Sequence, residues 1–256
     1  MKEKLLEVES AAGRGFRIVA SVLGTLLVAL SVPFAIIAVV SNDPSNTIHR
    51  FHTTGGAVPS LILAAALLVL AWRPEELAAM QLFVVGAIVS MLIGLVAGDL
   101  FSGLLFVGAV LAAILLALYP AGRDVWRLER PRLGLLAAAV VAAIPAIAYA
   151  LTQAALQRHA IPGDPHGDAH HYSGAAVAAA ALPATVVVAA IGRTGWRIVG
   201  WIAAVALVAF GLASLAFSTY MSAPDPVWSW ASIAGGLVVL ALTELEVRRT
   251  REVPAV

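Results

Sequence analysis

Between Glu76 and Arg123 the chain carries one charged residue, Asp99. A run this long and this poor in charge cannot be hidden in the core of a water-soluble domain of ordinary size. It matches the hydrocarbon core of a bilayer, which about 20 consecutive apolar residues span as a helix. The whole chain shares the bias. Of its 256 residues 61% are hydrophobic and 12% charged, against about 25% charged in soluble domains. The expected class is therefore all-α: a polytopic membrane protein. Charge-free runs place spans at 18–40, 53–72, 78–98, 100–119, 133–155, 172–192, 198–219 and 226–243, eight transmembrane helices in all. The third and fourth come from the single long run, which must fold back as a hairpin near Gly98, Asp99, Ser102 and Gly103, residue types suited to a turn. The first run is longer than a signal-peptide core and lacks a small-residue cleavage site, so it reads as a retained span.

Charge asymmetry orients the chain. With eight spans and a cytoplasmic N-terminus, all of the 16 Lys and Arg except Arg50 and Arg158 fall inside, as the positive-inside rule requires. Seven spans would place the basic "GRDVWRLERPR" segment outside. Both termini are thus expected in the cytoplasm, N-in/C-in, in the cell (inner) membrane. The organisation reads as a cytoplasmic segment 1–17, a four-helix repeat 18–122, a basic connector 123–132, a second four-helix repeat 133–243 and a cytoplasmic tail 244–256. The connector's Arg residues suit lipid phosphates. Trp228 and Trp230 suit the interfacial belt.

Polar residues then sort by side. His49, His52, His159, His166, His170 and His171, all six histidines, fall on the extracytoplasmic face. Asp43, Asp99, Asp164, Asp168 and Asp225 join them, while every Glu falls inside. Asp99 and Asp225 also read as turn residues. Two stretches on that face match: "HTTGGAV" from His52 and "HYSGAAV" from His171. Each opens an apolar helix that ends near an Arg, Arg73 or Arg193. "GLVAGDLFS" and "GLASLAFS" extend the match, and Pro33 and Pro145 lie in corresponding spans. A tandem duplication of four plus four helices follows, with the halves related about the membrane normal. Pro59 and Pro183 do not align.

At these helix mouths Thr53, Thr54 and Ser173 are candidates to cap free N–H groups. Gly55 and Gly174 are candidates for close helix packing. A helix N-terminus disfavours imidazolium, and neutral imidazole is the metal-binding form. His49 and His52 are three residues apart, His166 and His170 four. The candidate metal ligands are therefore His49, His52, Asp99, His166, His170 and His171, with His52 and His171 facing each other between the halves. Zn²⁺ or another divalent metal suits such a set; a haem held between His52 and His171 is a second version. The spacing is less specific than H-E-x-x-H, and loop solvation and helix capping explain the same residues.

Two other functions fit the composition. Pro33, Pro59, Pro145 and Pro183 would interrupt spans, as small-solute transporters require. A non-catalytic assembly or partner protein, bound to another membrane protein or to a second copy, also fits. A formal charge of +1 gives no field for nucleic acid. Zero cysteines exclude disulfides and thiolate metal sites. No sequence motif identifies an enzyme, and no span contains a Lys.

The loop and helix "GDPHGDAHHYSGAAVAAAAL" and the turn "GRTGWRIVGW" resemble multi-pass membrane proteins of unknown activity common in actinobacteria. The likeness covers residues 160–218 and implies topology, not activity. Haem A synthase also has four plus four helices, but it places His on its fourth and eighth spans, where this chain has none. Membrane zinc hydrolases of the ceramidase and adiponectin-receptor type combine Ser, three His and Asp in another pattern along the helices.

Overall fold

The computed structural model describes residues 2–43, 47–99, 103–119 and 121–252. Its helices are α1 (Lys2–Val40), α2 (Arg50–Trp72), α3 (Leu77–Ala97), α4 (Gly103–Leu118), α5 (Leu133–Arg158), the one-turn α6 (Pro165–Asp168), α7 (His171–Ile191), α8 (Trp196–Ala216) and α9 (Pro226–Glu252). A 3-10 turn at Gly122–Trp126 precedes α5. Seven helices, all but α4 and α6, are long and apolar enough to cross a bilayer, as an integral membrane protein requires. Sixteen residues make α4 roughly 24 Å long, and it is shorter than the other seven.

Helix α7 is the most buried of the seven, and α1, α5 and α9 are the most exposed. The exposed faces carry Ile18, Val22, Leu26 and Phe34 on α1 and Val140, Val141 and Ile144 on α5, an apolar surface suited to lipid. The core gathers Leu67 and Leu70 of α2, Met80 and Leu82 of α3, Val186 of α7 and Val199 of α8. The α8–α9 seam is closed by small residues. A Cβ on Gly200 would stand 2.5 Å from Thr243 Oγ1, and one on Gly236 2.7 Å from the Ala204 carbonyl, so glycine there sets how closely the backbones approach.

Two ends of the bundle differ in chemistry. At the basic end Arg17 Nε donates to the Ala71 carbonyl, Tyr119 Oη to Pro74, and Ala78 N to Thr194. Gln81 Nε2 donates to the Val125 and Arg127 carbonyls. Arg132 donates to Ala189, Ala190 and Gly192, which end α7, and stacks on Trp196. At the histidine end Arg50 donates to the carbonyls of Ala38 and Ser41 and to Tyr220 Oη, and Tyr149 Oη donates to Ser222. Because Asp99 meets His170 while Tyr119 meets Pro74, α4 returns the chain from the histidine end to the basic end.

Details depart from the sequence expectations. Helix α1 runs unbroken from Lys2 to Val40, so the segment 1–17 and the first span share one helix. α9 likewise carries the tail to Glu252, and residues 253–256 lie outside the described residues. Pro33, Pro59, Pro145 and Pro183 do not interrupt their helices; neighbouring helices and local adjustment satisfy the freed groups. Gly98 ends α3 in the left-handed conformation, φ 69°, and Asp99 N bonds back to the Gly94 carbonyl, as a Schellman ending does. Ser102, expected in the same turn, lies outside the described residues. Asp225 Oδ1 accepts from Val227 N at the start of α9.

Candidate functional site

Three short segments converge at the histidine end. Helix α2 begins at Arg50, so His49 is its N-cap residue and His52 lies in its first turn. Asp164 caps the one-turn α6 through His166 N, 3.0 Å away, and thereby fixes His166. His170 precedes α7 in the left-handed conformation, φ 57°, and His171 is the helix's first residue.

Four imidazoles meet there. Ring centroids stand 4.3 Å apart for His49–His171, 4.8 Å for His49–His166, 4.9 Å for His52–His166, 5.2 Å for His52–His171 and 6.1 Å for His166–His171. The His52 and His171 rings are stacked, 17° from parallel. Both ring nitrogens of His52, and Nδ1 of His49 and of His171, are buried without a hydrogen-bond partner. His166 has a partner, with Nε2 3.3 Å from the Ile48 carbonyl. Tyr172 closes one side, its ring 5.9 Å from those of His52 and His166. Its hydroxyl donates to Asp164 Oδ2 at 3.2 Å and lies 3.1 Å from Met221 Sδ.

Electrostatics favour the neutral form of His49 and the ionised form of Asp164. Burial, then the neighbouring His166, hold the His49 pKa below its ordinary value. The His166 N–H, with those of Gly167 and the Tyr172 hydroxyl, holds Asp164 below the usual carboxylate range. Asp164 Oδ1 stands 3.7 Å from His166 Nδ1.

Of the expected ligands, His49, His52, His166 and His171 come together. Asp99 and His170 form a pair of their own, Oδ2 to Nδ1 3.0 Å, and are absent from the ring contacts. Tyr172 and Met221 were not foreseen in the site; for Tyr172 the only sequence signal is its position next to His171. The expected caps are not formed. Thr54 Oγ1 donates back to the Arg50 and Phe51 carbonyls, no side chain caps α2 or α7, and Ser173 Oγ is buried without a partner. The reason is that both helices start earlier than expected, which moves Thr54 and Ser173 inside them. Gly55 faces the rings of Phe51 and Phe210, whereas Gly174 faces open space and makes no close packing contact.

Ring positions and ring orientations give different answers about a metal. Among the described residues no three His, Asp or Glu side chains are set as they stand to hold one ion. Yet imidazoles around a tetrahedral ion, with metal–nitrogen bonds of about 2.0–2.1 Å, have centroids roughly 5 Å apart. The observed separations bracket that spacing. A porphyrin is a poorer fit, because two axial imidazoles point edge-on at the iron from opposite faces, and rings stacked at 5.2 Å leave no room for the macrocycle between them. No protein-family model matches the chain, no curated protein matches it, and no solved structure matches it.

Proposed function

We propose that this chain is an eight-span membrane protein with cytoplasmic termini, built by tandem duplication, that binds a divalent transition metal such as Zn²⁺ at its extracytoplasmic face through His49, His52, His166 and His171. The observation that carries the site is four imidazoles, five of whose six centroid separations lie between 4.3 and 6.1 Å, with four buried, unpartnered ring nitrogens. Buried polar atoms are nearly always paired, and an ion satisfies several of these at once. Rotation of the rings about the Cβ–Cγ bond brings nitrogens inward while the centroids move little. Asp164, 3.7 Å from His166 Nδ1, supplies a nearby compensating charge.

Duplication is supported by the pattern of helix neighbours. Pairing α1–α4 with α5, α7, α8 and α9 in order, the contact α1–α2 corresponds to α5–α7, α2–α3 to α7–α8, α3–α4 to α8–α9, α1–α4 to α5–α9, and α2–α8 to α3–α7. The α3–α5 contact has no counterpart of similar extent among the described residues. Orientation rests on the basic residues gathered at one end.

Metal analysis of the full chain, purified without chelator, is the test. Near-stoichiometric Zn²⁺, Cu²⁺ or a similar ion is expected, and it should fall at least tenfold in His52→Ala plus His171→Ala with retention of helical content. An ion-free wild type that takes up none of these metals on addition ends the reading.

A further inference from the structure

A second feature lies beside the imidazoles. The last two turns of α5 and the loop after it form an open groove of about 460 Å³, lined by Thr152, Leu156, His159, Ile161, Asp164 and Tyr172 among others. That volume falls within the range of about 300–1,000 Å³ usual for small-ligand sites. It is too small for a two-chain phospholipid. Thr152, Leu156 and His159 follow each other at helical spacing along one face of α5. Leu156 and Ile161 are exposed and give the groove an apolar wall at the level where a bilayer meets water.

Its inner end is polar. Asp164 is the one carboxylate in the lining, and His159 is its one imidazole. The neighbouring Arg158 is turned away, its guanidinium donating to the Val96 carbonyl of α3. Asp164 Oδ2 accepts from Tyr172, whose ring also touches His52 and His166. The groove thus ends on the wall of the imidazole cluster, with a carboxylate there and no Lys or Arg in the lining to receive an anionic head. A carboxylate in a partly apolar setting attracts a cationic group more strongly than it would in bulk water.

We propose that this groove binds a single-chain amphiphile with a protonated amino head group, the head at Asp164 and the chain along Leu156 toward the bilayer. A phosphate or carboxylate head would face Asp164 with like charge, which gives the groove its selectivity. The groove shares Asp164 with the proposed ion site but needs no ion there to attract the head group. An ion there would lie one aromatic ring away from the head group.

The test uses the full chain in phosphatidylcholine nanodiscs and a photoreactive, alkyne-tagged long-chain amine, with a photoreactive fatty acid of equal length as the second probe. The amine should label the peptide spanning 152–164 saturably, at least fivefold over the fatty acid, and unlabelled octadecylamine should compete. Leu156→Trp, which fills the groove without touching Asp164, and Asp164→Asn should each cut labelling at least fivefold. Equal labelling by both probes overturns the proposal, as does unsaturable labelling spread over the exposed faces of α1, α5 and α9. Metal content measured on the same sample separates the two readings. Labelling without metal removes only the ion site, and metal without labelling removes only the groove.

Discussion

His49 shows how a single residue ties the site to pH. Its folded-state pKa lies below the ordinary 6.5 because burial and His166 disfavour the imidazolium. The unfolded chain therefore takes up a proton at His49 before the folded one does, and stability rises with pH in that window. His49 favours the folded state fully above about pH 6.5 and loses that contribution as pH falls toward its lowered value. Asp164 is depressed as well, so it acts in the same sense but below about pH 4. Thermal melts of ion-free protein from pH 7.5 to 5.5 should show a falling midpoint, and His49→Gln, which cannot be protonated, should flatten that fall. An unchanged slope in the variant would remove His49 as the cause. Glycines give a second contrast. Gly200→Ala drives a methyl into Thr243 and should cost about 1–3 kcal/mol, as overpacking does. Gly174→Ala, with open space before it, should be neutral or stabilise by up to about 1 kcal/mol. Melting temperatures in one detergent decide both. Of the two glycines the sequence pointed to, Gly55 faces Phe51 and Phe210 and Gly174 faces open space, because every helix here is rich in small residues and letters alone do not say which of them face a neighbour.

Elements were far more legible than contacts. Long apolar runs separated by charge set the helices, since in a bilayer no other open backbone arrangement satisfies its hydrogen bonds. Their ends were read less well. The Thr and Ser of the two similar motifs suggested caps, but α2 starts at Arg50, whose side chain ties it to the end of α1 and to Tyr220. That tie is long-range and leaves no local signal. The four prolines suggested breaks that packing removes. At the other end of the bundle Arg132 holds the last carbonyls of α7 and stacks on Trp196. Arg132→Ala should lower the melting midpoint by the equivalent of about 1.5–3 kcal/mol, the range for hydrogen bonds to a charged group, whereas Arg130→Ala, on an exposed stretch, should change it by less than about 0.5 kcal/mol. Equal effects would mean that the connector is not held at that point.

For the whole molecule, the gathering of histidines on one side followed from counting spans, because each crossing fixes the side of the next loop. Which histidines meet did not follow: His170 and His171 are neighbours in the chain, yet one turns to Asp99 and the other to His52. The left-handed backbone at His170 divides them. The arrangement of ends is open to direct measurement. The native sequence has no cysteine, so single cysteines need no prior replacements. Cysteines at Gly163 and Asp225, both exposed at the histidine end, should react with an impermeant maleimide in intact cells, and those at Glu75 and Thr194 only after lysis. The reverse pattern would invert the chain in its membrane.

The site draws His49 and His52 from the first half of the chain and His166 and His171 from the second, and the basic connector between the halves is the natural place to cut it. Each half brings two imidazoles to the cluster, fewer than the three or four protein ligands of an ordinary zinc site. If residues 1–128 and 129–256 were produced as separate polypeptides, metal retention would count docked pairs, and the same ion would act as a fastener whose removal loosens one half from the other.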